Sequence, residues 1–227
     1  MLLFSHIFFT NEFYIFALRM SHFIDIHTHH PLEGKLGLRN VRLGKEDISG
    51  EETISLGLHP WDIDSVSEGV LKQLQLADCK AIGEIGLDRI CTTPFEVQQG
   101  YFERQLQIAT ERQLPVVIHC VKAYNEVLQI LSSHRLVGVV FHGFIGSAQL
   151  LQLITAKGYY ISFGAGALRS PKTIEALRLC PLERMFLESD ESPTPIESLY
   201  AEVASIRGVD IEELKEQIYN NYKRIFG

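Results

Sequence analysis

Short apolar runs that alternate with helical segments are the feature of this chain that most restricts its fold. The runs are mostly four to seven residues long and rich in Val, Ile and aromatic side chains, which is typical of buried strands. They lie at Phe23–His27, Ile54–Leu58, Ala81–Leu87, Pro115–His119, Val137–His142, Tyr159–Phe163 and Met185–Glu188, with a weaker eighth at Leu38–Leu43. Strand and helix repeated along one chain predict a parallel sheet, here a single α/β domain of the (β/α)8 TIM-barrel type.

Helix signals separate the predicted strands. Thr93-Pro94 followed by Glu96 predicts a capping box, and Asp210 begins a last amphipathic helix. No G-x-G-x-x-G follows an early strand, which disfavours an open nucleotide-binding sheet. The segment from 31 to 53 is too short for a full strand and helix, so we expect a barrel trimmed near its second β/α unit.

The first nineteen residues do not fit this pattern. They are rich in Leu, Phe and Ile, but Asn11 and Glu12 interrupt them, and the basic region and cleavage site of a signal peptide are lacking. In a membrane helix Glu12 would lie near the bilayer centre at high cost. We expect residues 1–19 to lie outside the fold, with Met20 as the start of translation and 20–227 as the barrel domain. A poorly packed extension and a lipid anchor are the alternatives.

The acidic composition limits the partners. Asp plus Glu number 28 against 21 Lys plus Arg, a net charge of −7 that argues against a protein coating nucleic acid electrostatically. An enzyme that grips one phosphate through metal ions remains compatible with this charge. The four cysteines form no C-x-x-C pair, so we expect reduced thiols in a cytoplasmic protein.

Polar residues at the carboxyl ends of the predicted strands carry the chemistry, because those ends form the active face of such a barrel. They are His27, His29, Glu84, His119, His142 and Asp190. His27 and His29 alternate along one strand and therefore point to the same side. Burying four imidazoles and two carboxylates without a cation is costly, and these ligand types suit zinc, manganese, iron or magnesium. The sequence thus predicts a divalent-metal site.

Six short motifs follow one another along the chain. They are Asp25-Ile-His-Thr-His29, Gly57-Leu-His-Pro60, Gly83-Glu-Ile-Gly-Leu-Asp88, Pro115-Val-Val-Ile-His119, Phe141-His-Gly-Phe-Ile-Gly146 and Leu187-Glu-Ser-Asp190. Together they resemble the TatD-type metal-dependent hydrolases (TatD-related deoxyribonucleases) of the amidohydrolase superfamily, over residues 23–227. The resemblance implies a hydrolase of ester bonds, most closely a 3′–5′ exonuclease that cleaves DNA phosphodiesters with a water activated by two divalent ions (Zn²⁺, Mg²⁺ or Mn²⁺).

The resemblance also implies roles for single residues. One ion would be held by His27, His29 and Asp190, the second by His119 and His142, with Glu84 bridging both. Asp190 would act as general base, His59 and Lys122 would contact a substrate phosphate, and Asp88 would orient a ligand or the loop.

Two further features bear on the substrate. The loop Glu191–Pro195 is short and acidic, and Glu191 would repel a phosphate. Trp61 is a candidate for stacking on a nucleobase, but packing beneath its loop is the favoured interpretation. The resemblance implies DNA strand ends as substrate, with no membrane and no stable protein partner. The alternatives are a hydrolase of a small-molecule carboxylic ester, amide or lactone, and a weakened metal-binding barrel that acts through a partner.

Overall fold

Eight parallel strands, hydrogen-bonded in the order in which they occur along the chain, form the sheet. The computed structural model describes residues 22–46, 48, 53–67 and 69–227. The strands are β1 (Ile24–Thr28), β2 (Leu36–Arg42), β3 (Ile54–Gly57), β4 (Ala81–Asp88), β5 (Val116–Val121), β6 (Val139–Phe141), β7 (Tyr160–Phe163) and β8 (Met185–Leu187). A parallel bridge between Thr28 and Asp190 joins the first strand to the segment after the last one. The predicted (β/α)8 barrel is therefore confirmed.

Helices return the chain along the outside of the barrel. They are α1 (Lys72–Leu76), α2 (Phe95–Arg112), α3 (Tyr124–Leu131), α4 (Ala148–Thr155), α5 (Pro171–Leu179), α6 (Ile196–Arg207) and α7 (Ile211–Phe226). Short 3₁₀ helices lie at Pro60–Ser65, Ala167–Arg169 and Leu182–Arg184. No helix in the described part of the chain has the length and apolar character that a membrane crossing needs.

The barrel is trimmed at its beginning, as expected. Residues 29–35, between β1 and β2, contain only bends and a turn, and the described residues between β2 and β3 contain no helix. The weak run at Leu38–Leu43 is a strand that begins two residues earlier. The predictions for residues 1–19 and Met20 concern a segment outside the described residues.

Of the two helix starts predicted from capping residues, one is confirmed and the other is wrong. The Asp210 carboxylate accepts a hydrogen bond from the Glu212 amide at the start of α7, as predicted. The capping box at Thr93 is wrong, because the Thr93 hydroxyl donates to Asp64 Oδ2 at 2.8 Å. Helix α2 instead begins after Pro94, whose carbonyl accepts the Val97 amide at 3.0 Å.

Two buried polar side chains connect the last helices by hydrogen bonds to β1 and β8, the strands on either side of the seam at which the barrel closes. The Tyr200 hydroxyl of α6 donates to the Ile24 carbonyl at 3.0 Å and accepts from the Ile24 amide at 3.1 Å. Asn221 of α7 donates to the carbonyls of Leu182 and Met185 at 2.8 and 2.9 Å. A buried amide or hydroxyl is tolerated only when its hydrogen bonds are made. These contacts therefore fix β1 and β8 where the barrel closes.

Candidate active site

A cavity of about 140 Å³ lies at the carboxyl ends of the strands. Its lining residues are His29, Arg42, His59, Trp61, Glu84, His119, His142, Asp190 and Glu191. His27 lies against this group, fully buried, with Nε2 3.4 Å from Glu84 Oε2. The structure thus brings together all six residues that the sequence analysis proposed as metal ligands.

The Glu84 carboxylate is at the centre of the cluster. Its Oε1 lies 2.6 Å from His119 Nδ1, 2.7 Å from His142 Nε2 and 3.1 Å from His59 Nε2. Its Oε2 lies 3.4 Å from His27 Nε2. One carboxylate that faces imidazoles from several strands through both oxygens has the arrangement that a bridge between two cations requires.

Asn40 of β2 holds this carboxylate in place. Its Oδ1 accepts the Glu84 backbone amide at 2.9 Å, and its Nδ2 donates to Glu84 Oε2 at 3.4 Å. The Ser55 hydroxyl of β3 in turn donates to Asn40 Oδ1 at 3.2 Å. All three side chains are buried, so the network fixes the position of Glu84 across three neighbouring strands. Asn40 was not among the predicted site residues, because it lies between arginines in the least apolar strand and nothing local marks it.

The approach of β4 to β5 at the site requires a glycine. Gly86 pairs with His119 in the strand register and has a φ of 151°. A Cβ atom there would lie 1.9 Å from the His119 carbonyl oxygen, which no side chain can accommodate. Gly86 therefore allows the strand that carries Glu84 to lie against the strand that carries His119.

The seam of the barrel holds the other group of candidate ligands. The Asp190 amide donates to the His27 carbonyl at 2.9 Å, and the His29 amide donates to the Asp190 carbonyl at 3.1 Å. The Asp190 carboxylate lies 3.6 Å from His29 Nε2 and 3.8 Å from His27 Nε2. Its side chain is 44% exposed, whereas that of His27 is fully buried. Backbone closure of the barrel thus places a solvent-accessible acid beside two buried or half-buried imidazoles.

Asp88 orients His119. Its Oδ2 lies 3.1 Å from His119 Nε2 and accepts the Trp61 indole N–H at 2.7 Å. Burial opposes ionisation of Asp88, but hydrogen bonds from His119, from the Ile90 amide and from Trp61 outweigh it and lower the pKa to about 2. An ionised carboxylate at Nε2 keeps the proton on that nitrogen and leaves the lone pair of Nδ1 towards Glu84. This is the tautomer that a metal ligand needs.

A buried carboxylate that the sequence analysis did not assign stands behind His142. Glu188 is fully buried, its Oε1 accepts the Gly143 amide at 2.7 Å and lies 3.4 Å from His142 Nδ1. Burial alone would raise the pKa of Glu188. The nearby His142 lowers this pKa by more, so that it stays below the usual value for a glutamate. Glu188 thus favours a proton on Nδ1 of His142 and a free lone pair on Nε2, which faces Glu84.

His59 differs from the other imidazoles in its hydrogen bonding. Its Nδ1 accepts the Trp61 amide at 3.2 Å, so the proton of the neutral ring is on Nε2 and is donated to Glu84 Oε1 at 3.1 Å. Burial lowers the pKa of His59, which keeps the ring neutral. His59 is therefore arranged as a hydrogen-bond donor at the cavity. Its predicted contact with a substrate phosphate stays a prediction.

The electrostatics of the cluster favour positive charge. Burial would raise the pKa of Glu84, but His142, His119 and His27 hold it well below its usual value. Burial would lower the pKa of His142, but Glu84 and Glu188 raise it well above its usual value. The pKa of His119 is also raised, because its hydrogen bonds to Asp88 and Glu84 outweigh burial. The protein thus stabilises a cationic partner next to Glu84.

The donor set fits divalent cations. Three groups have ligand atoms within 4.8 Å of one another: His27, His142 and Asp190; His27, His29 and Glu84; and His59, Glu84 and His119. Both ring nitrogens of His27 are buried and have no hydrogen-bond partner among the described residues. An unpartnered buried imidazole is costly unless a cation uses its lone pair. Imidazole and carboxylate ligands suit zinc, manganese and magnesium.

Three residues near the mouth bear on how a substrate would be contacted. Lys122 directly follows β5 and is exposed, but it is not among the described residues that line the cavity. The cation that does line it is Arg42, which the sequence analysis did not single out. The interpretation of Trp61 as packed beneath its loop is wrong: the side chain is 56% exposed, because the hydrogen bond to Asp88 holds it at the mouth.

Removal of divalent cations is expected to lower the melting temperature. A cation at about 1,000 times its Kd stabilises the folded state by about 4 kcal/mol, which for a chain of this size corresponds to about 8–16 °C. Differential scanning fluorimetry with EDTA, followed by Zn²⁺ or Mn²⁺ in excess, measures the shift. The variant Glu84→Gln should lose the response, whereas Glu111→Gln on α2 should keep it. Equal melting temperatures with and without metal would contradict a metal site here.

Comparisons with known proteins agree with this geometry. The family model that matches is described as TatD related DNase and covers residues 36–227. An uncharacterized metal-dependent hydrolase of Escherichia coli (strain K12), YjjV, is 31% identical over 196 residues, which are 76% of this chain and 75% of that protein. A protein of Citrobacter rodentium named 3′-5′ ssDNA/RNA exonuclease TatD is 31% identical over 200 residues, 75% of each chain. The crystal structure of the E. coli TatD homolog YjjV superimposes with a TM-score of 0.78 at 26% identity, over 91% of this chain and 98% of that one.

Proposed function

The chain belongs to the TatD-related DNase family, and we propose that it is a divalent-metal-dependent 3′–5′ exonuclease that removes nucleotides from DNA strand ends. The observation that carries the proposal is the buried Glu84 carboxylate surrounded by imidazoles, with the half-exposed Asp190 beside it. Relatives named 3′-5′ ssDNA/RNA exonuclease and, in Schizosaccharomyces pombe, deoxyribonuclease support the same substrate class.

The proposed ligand set uses the two halves of the cluster. Two ions, Zn²⁺, Mg²⁺ or Mn²⁺, would be held by His27, His29 and Asp190 on one side and by His119 and His142 on the other, with Glu84 between them. Bound there, divalent cations supply Lewis-acid stabilisation of the phosphoryl oxygens and lower the pKa of a nearby water. The ring nitrogens of His119 and His142 that face Glu84 are the ones left free by Asp88 and Glu188.

Asp190 is proposed as the general base. Burial and the charge of Glu188 raise its pKa above the usual value for an aspartate, which brings it closer to neutrality. Its carboxylate is 44% exposed, so that it can reach a water at the cavity mouth and take its proton. The backbone bonds to His27 and His29 fix the position of that carboxylate relative to the ligands. His59, which lines the cavity, and Lys122, which directly follows β5, would contact the substrate phosphate.

The size and charge of the site favour a strand end as substrate. A cavity of about 140 Å³ accommodates one phosphodiester group rather than a length of duplex. The net charge of −7 disfavours electrostatic tracking along DNA, so bound metals and the Arg42 cation at the mouth would supply most of the affinity. Such a site acts on one linkage at a time.

Incubation with end-labelled single-stranded DNA tests the function. With Mg²⁺ or Mn²⁺, a 5′-labelled oligonucleotide should give a ladder of shortened products, and a 3′-labelled one should release labelled mononucleotide first. EDTA should abolish both signals, and an Asp190→Asn preparation purified in parallel should show neither, which excludes a contaminating nuclease. Intact DNA with every metal, or a single internal cut, would refute the proposal.

A further inference from the structure

A tryptophan and an arginine at the cavity mouth have no specific substrate contact assigned to them so far. Trp61, the single tryptophan of the chain, lies in the 3₁₀ helix that follows β3, and its side chain is 56% exposed. Arg42 is the last residue of β2, and its side chain is 31% exposed. Both line the same cavity as the candidate ligands.

The Trp61 ring is held rigidly although it is exposed. Its Nε1 donates to the buried Asp88 carboxylate at 2.7 Å, and Asp88 also contacts His119. The indole meets the His59 ring at 4.9 Å and the His119 ring at 5.9 Å, both nearly perpendicular to it. Among the described residues no ring stacks flat on the indole. A fixed aromatic face next to a reaction centre loses little entropy when a planar group stacks on it.

A bidentate ion pair with Asp62 positions the Arg42 guanidinium. Its Nε and Nη2 donate to the two oxygens of the buried Asp62 at 2.7 Å each. Within the described part of the chain no acceptor is bonded to Nη1, which leaves that nitrogen free for a further anion. Arg42 is close enough to His59 for its charge to add to the effect of burial in lowering the pKa of that imidazole. Glu191 lines the cavity as well and would repel a phosphate beside Asp190, so Arg42 marks the side where a second phosphate fits.

We propose that Trp61 and Arg42 form a nucleotide subsite at the mouth of the cavity, in which the indole stacks on an unpaired base next to the scissile phosphate and Arg42 pairs with the neighbouring phosphate. This inference rests on the proposed function. Base stacking on an aromatic side chain changes affinity by about 5- to 100-fold and tolerates every base, because each base has a π face. A base inside a duplex is already stacked between its neighbours, so the indole favours unpaired bases. The subsite therefore selects single-stranded ends without selecting sequence.

Kinetics on two matched oligonucleotides test the stacking. One carries normal bases, and in the other the two 3′-terminal nucleotides are abasic. Wild type should prefer the normal substrate by about 5- to 100-fold in kcat/KM, mainly through KM. Trp61→Ala should reduce that preference to about one, and Trp61→Phe should retain most of it. Val137→Ala, an exposed apolar residue just before β6 at the opposite end of the barrel, should keep the wild-type preference.

Arg42→Lys separates the phosphate contact from the stacking contact. Lysine keeps the charge but not the paired geometry, so KM should rise for normal and abasic substrates alike. Melting temperatures of all variants exclude a folding defect as the cause. An undiminished preference for the normal substrate in Trp61→Ala, or no preference in the wild type, overturns the stacking role.

Fluorescence of Trp61 gives a readout that does not need turnover. In Asp190→Asn protein with Mg²⁺, a thymidine tetranucleotide should quench the indole emission in a saturable way, and an abasic tetranucleotide should quench it little. Anisotropy of a dye-labelled tetranucleotide measures binding independently. Binding without quenching overturns the subsite and leaves the nuclease proposal standing. Absence of binding by both signals, together with no cleavage by wild type, overturns both proposals.

Discussion

Replacing Glu84 by glutamine is expected to lower kcat/KM for DNA hydrolysis by at least about 1,000-fold, a loss of about 4 kcal/mol in transition-state stabilisation. The Glu84 carboxylate lies within 3.1 Å of three imidazole nitrogens and 3.4 Å from a fourth. Glutamine has nearly the same shape but carries no charge, and only one of its terminal atoms can bind a cation. Turnover of labelled single-stranded DNA with saturating Mn²⁺ measures the effect.

Metal content distinguishes a lost ligand from a lost fold. Glu84→Gln should bind less metal by elemental analysis, while its circular dichroism spectrum remains that of the wild type. Glu111→Gln is the matched control, because α2 runs antiparallel to the strands and its last turn lies at the end of the barrel away from the site. Retention of a tenth or more of the wild-type activity in Glu84→Gln would contradict the bridging role.

The barrel was predictable from the sequence because its physical signals are local. Most strands are short runs rich in apolar residues and buried on both faces, as in β4, where all eight residues are buried. The weak strand Leu36–Arg42 contains two arginines and an asparagine, and it was found less clearly because those polar residues break the apolar run. The helix start at Thr93 failed because the distant Asp64 competes for the hydroxyl, which no local pattern records.

The convergence of the candidate ligands was predictable for a different reason. In a closed parallel barrel every strand end reaches the same face, so polar residues after separate strands must converge. Convergence follows from topology alone and needs no knowledge of side-chain packing. The prediction of six candidate ligands used that fact together with the family motifs.

The supporting residues could not be predicted in this way. The contact of Asn40 with Glu84 depends on the register between β2, β3 and β4, and the position of Arg42 depends on its pair with Asp62 in the next connection. The exposure of Trp61 depends on one hydrogen bond to Asp88. Each of these contacts joins residues far apart in the chain through a particular side-chain geometry. Such contacts set the ring tautomers and decide which side chains are exposed at the cavity mouth, and they leave the fold unchanged.

Replacing Asp190 by asparagine is expected to lower kcat by about 100- to 10,000-fold, the range of general-base catalysis, with little change in KM. The hydrogen bonds that close the barrel at this position are made by the Asp190 backbone, so the substitution leaves them intact. The Asp190→Asn protein should lose less metal than the Glu84→Gln protein. The Asp190 side chain is more exposed than that of Glu84, and its carboxylate lies farther from the neighbouring imidazoles. Single-turnover rates and metal content measured on the same preparations test this.

Asp78→Asn is the control for Asp190→Asn, because Asp78 is exposed in the loop before β4, at the opposite end of the strands. Its turnover should equal that of the wild type. A wild-type rate in Asp190→Asn would remove Asp190 from the proton transfer and leave its role as a ligand alone. Loss of all metal in that variant would instead show that Asp190 acts mainly by holding an ion. The ratio of the rate loss to the metal loss therefore separates the two roles that one carboxylate at the seam of the barrel is proposed to combine.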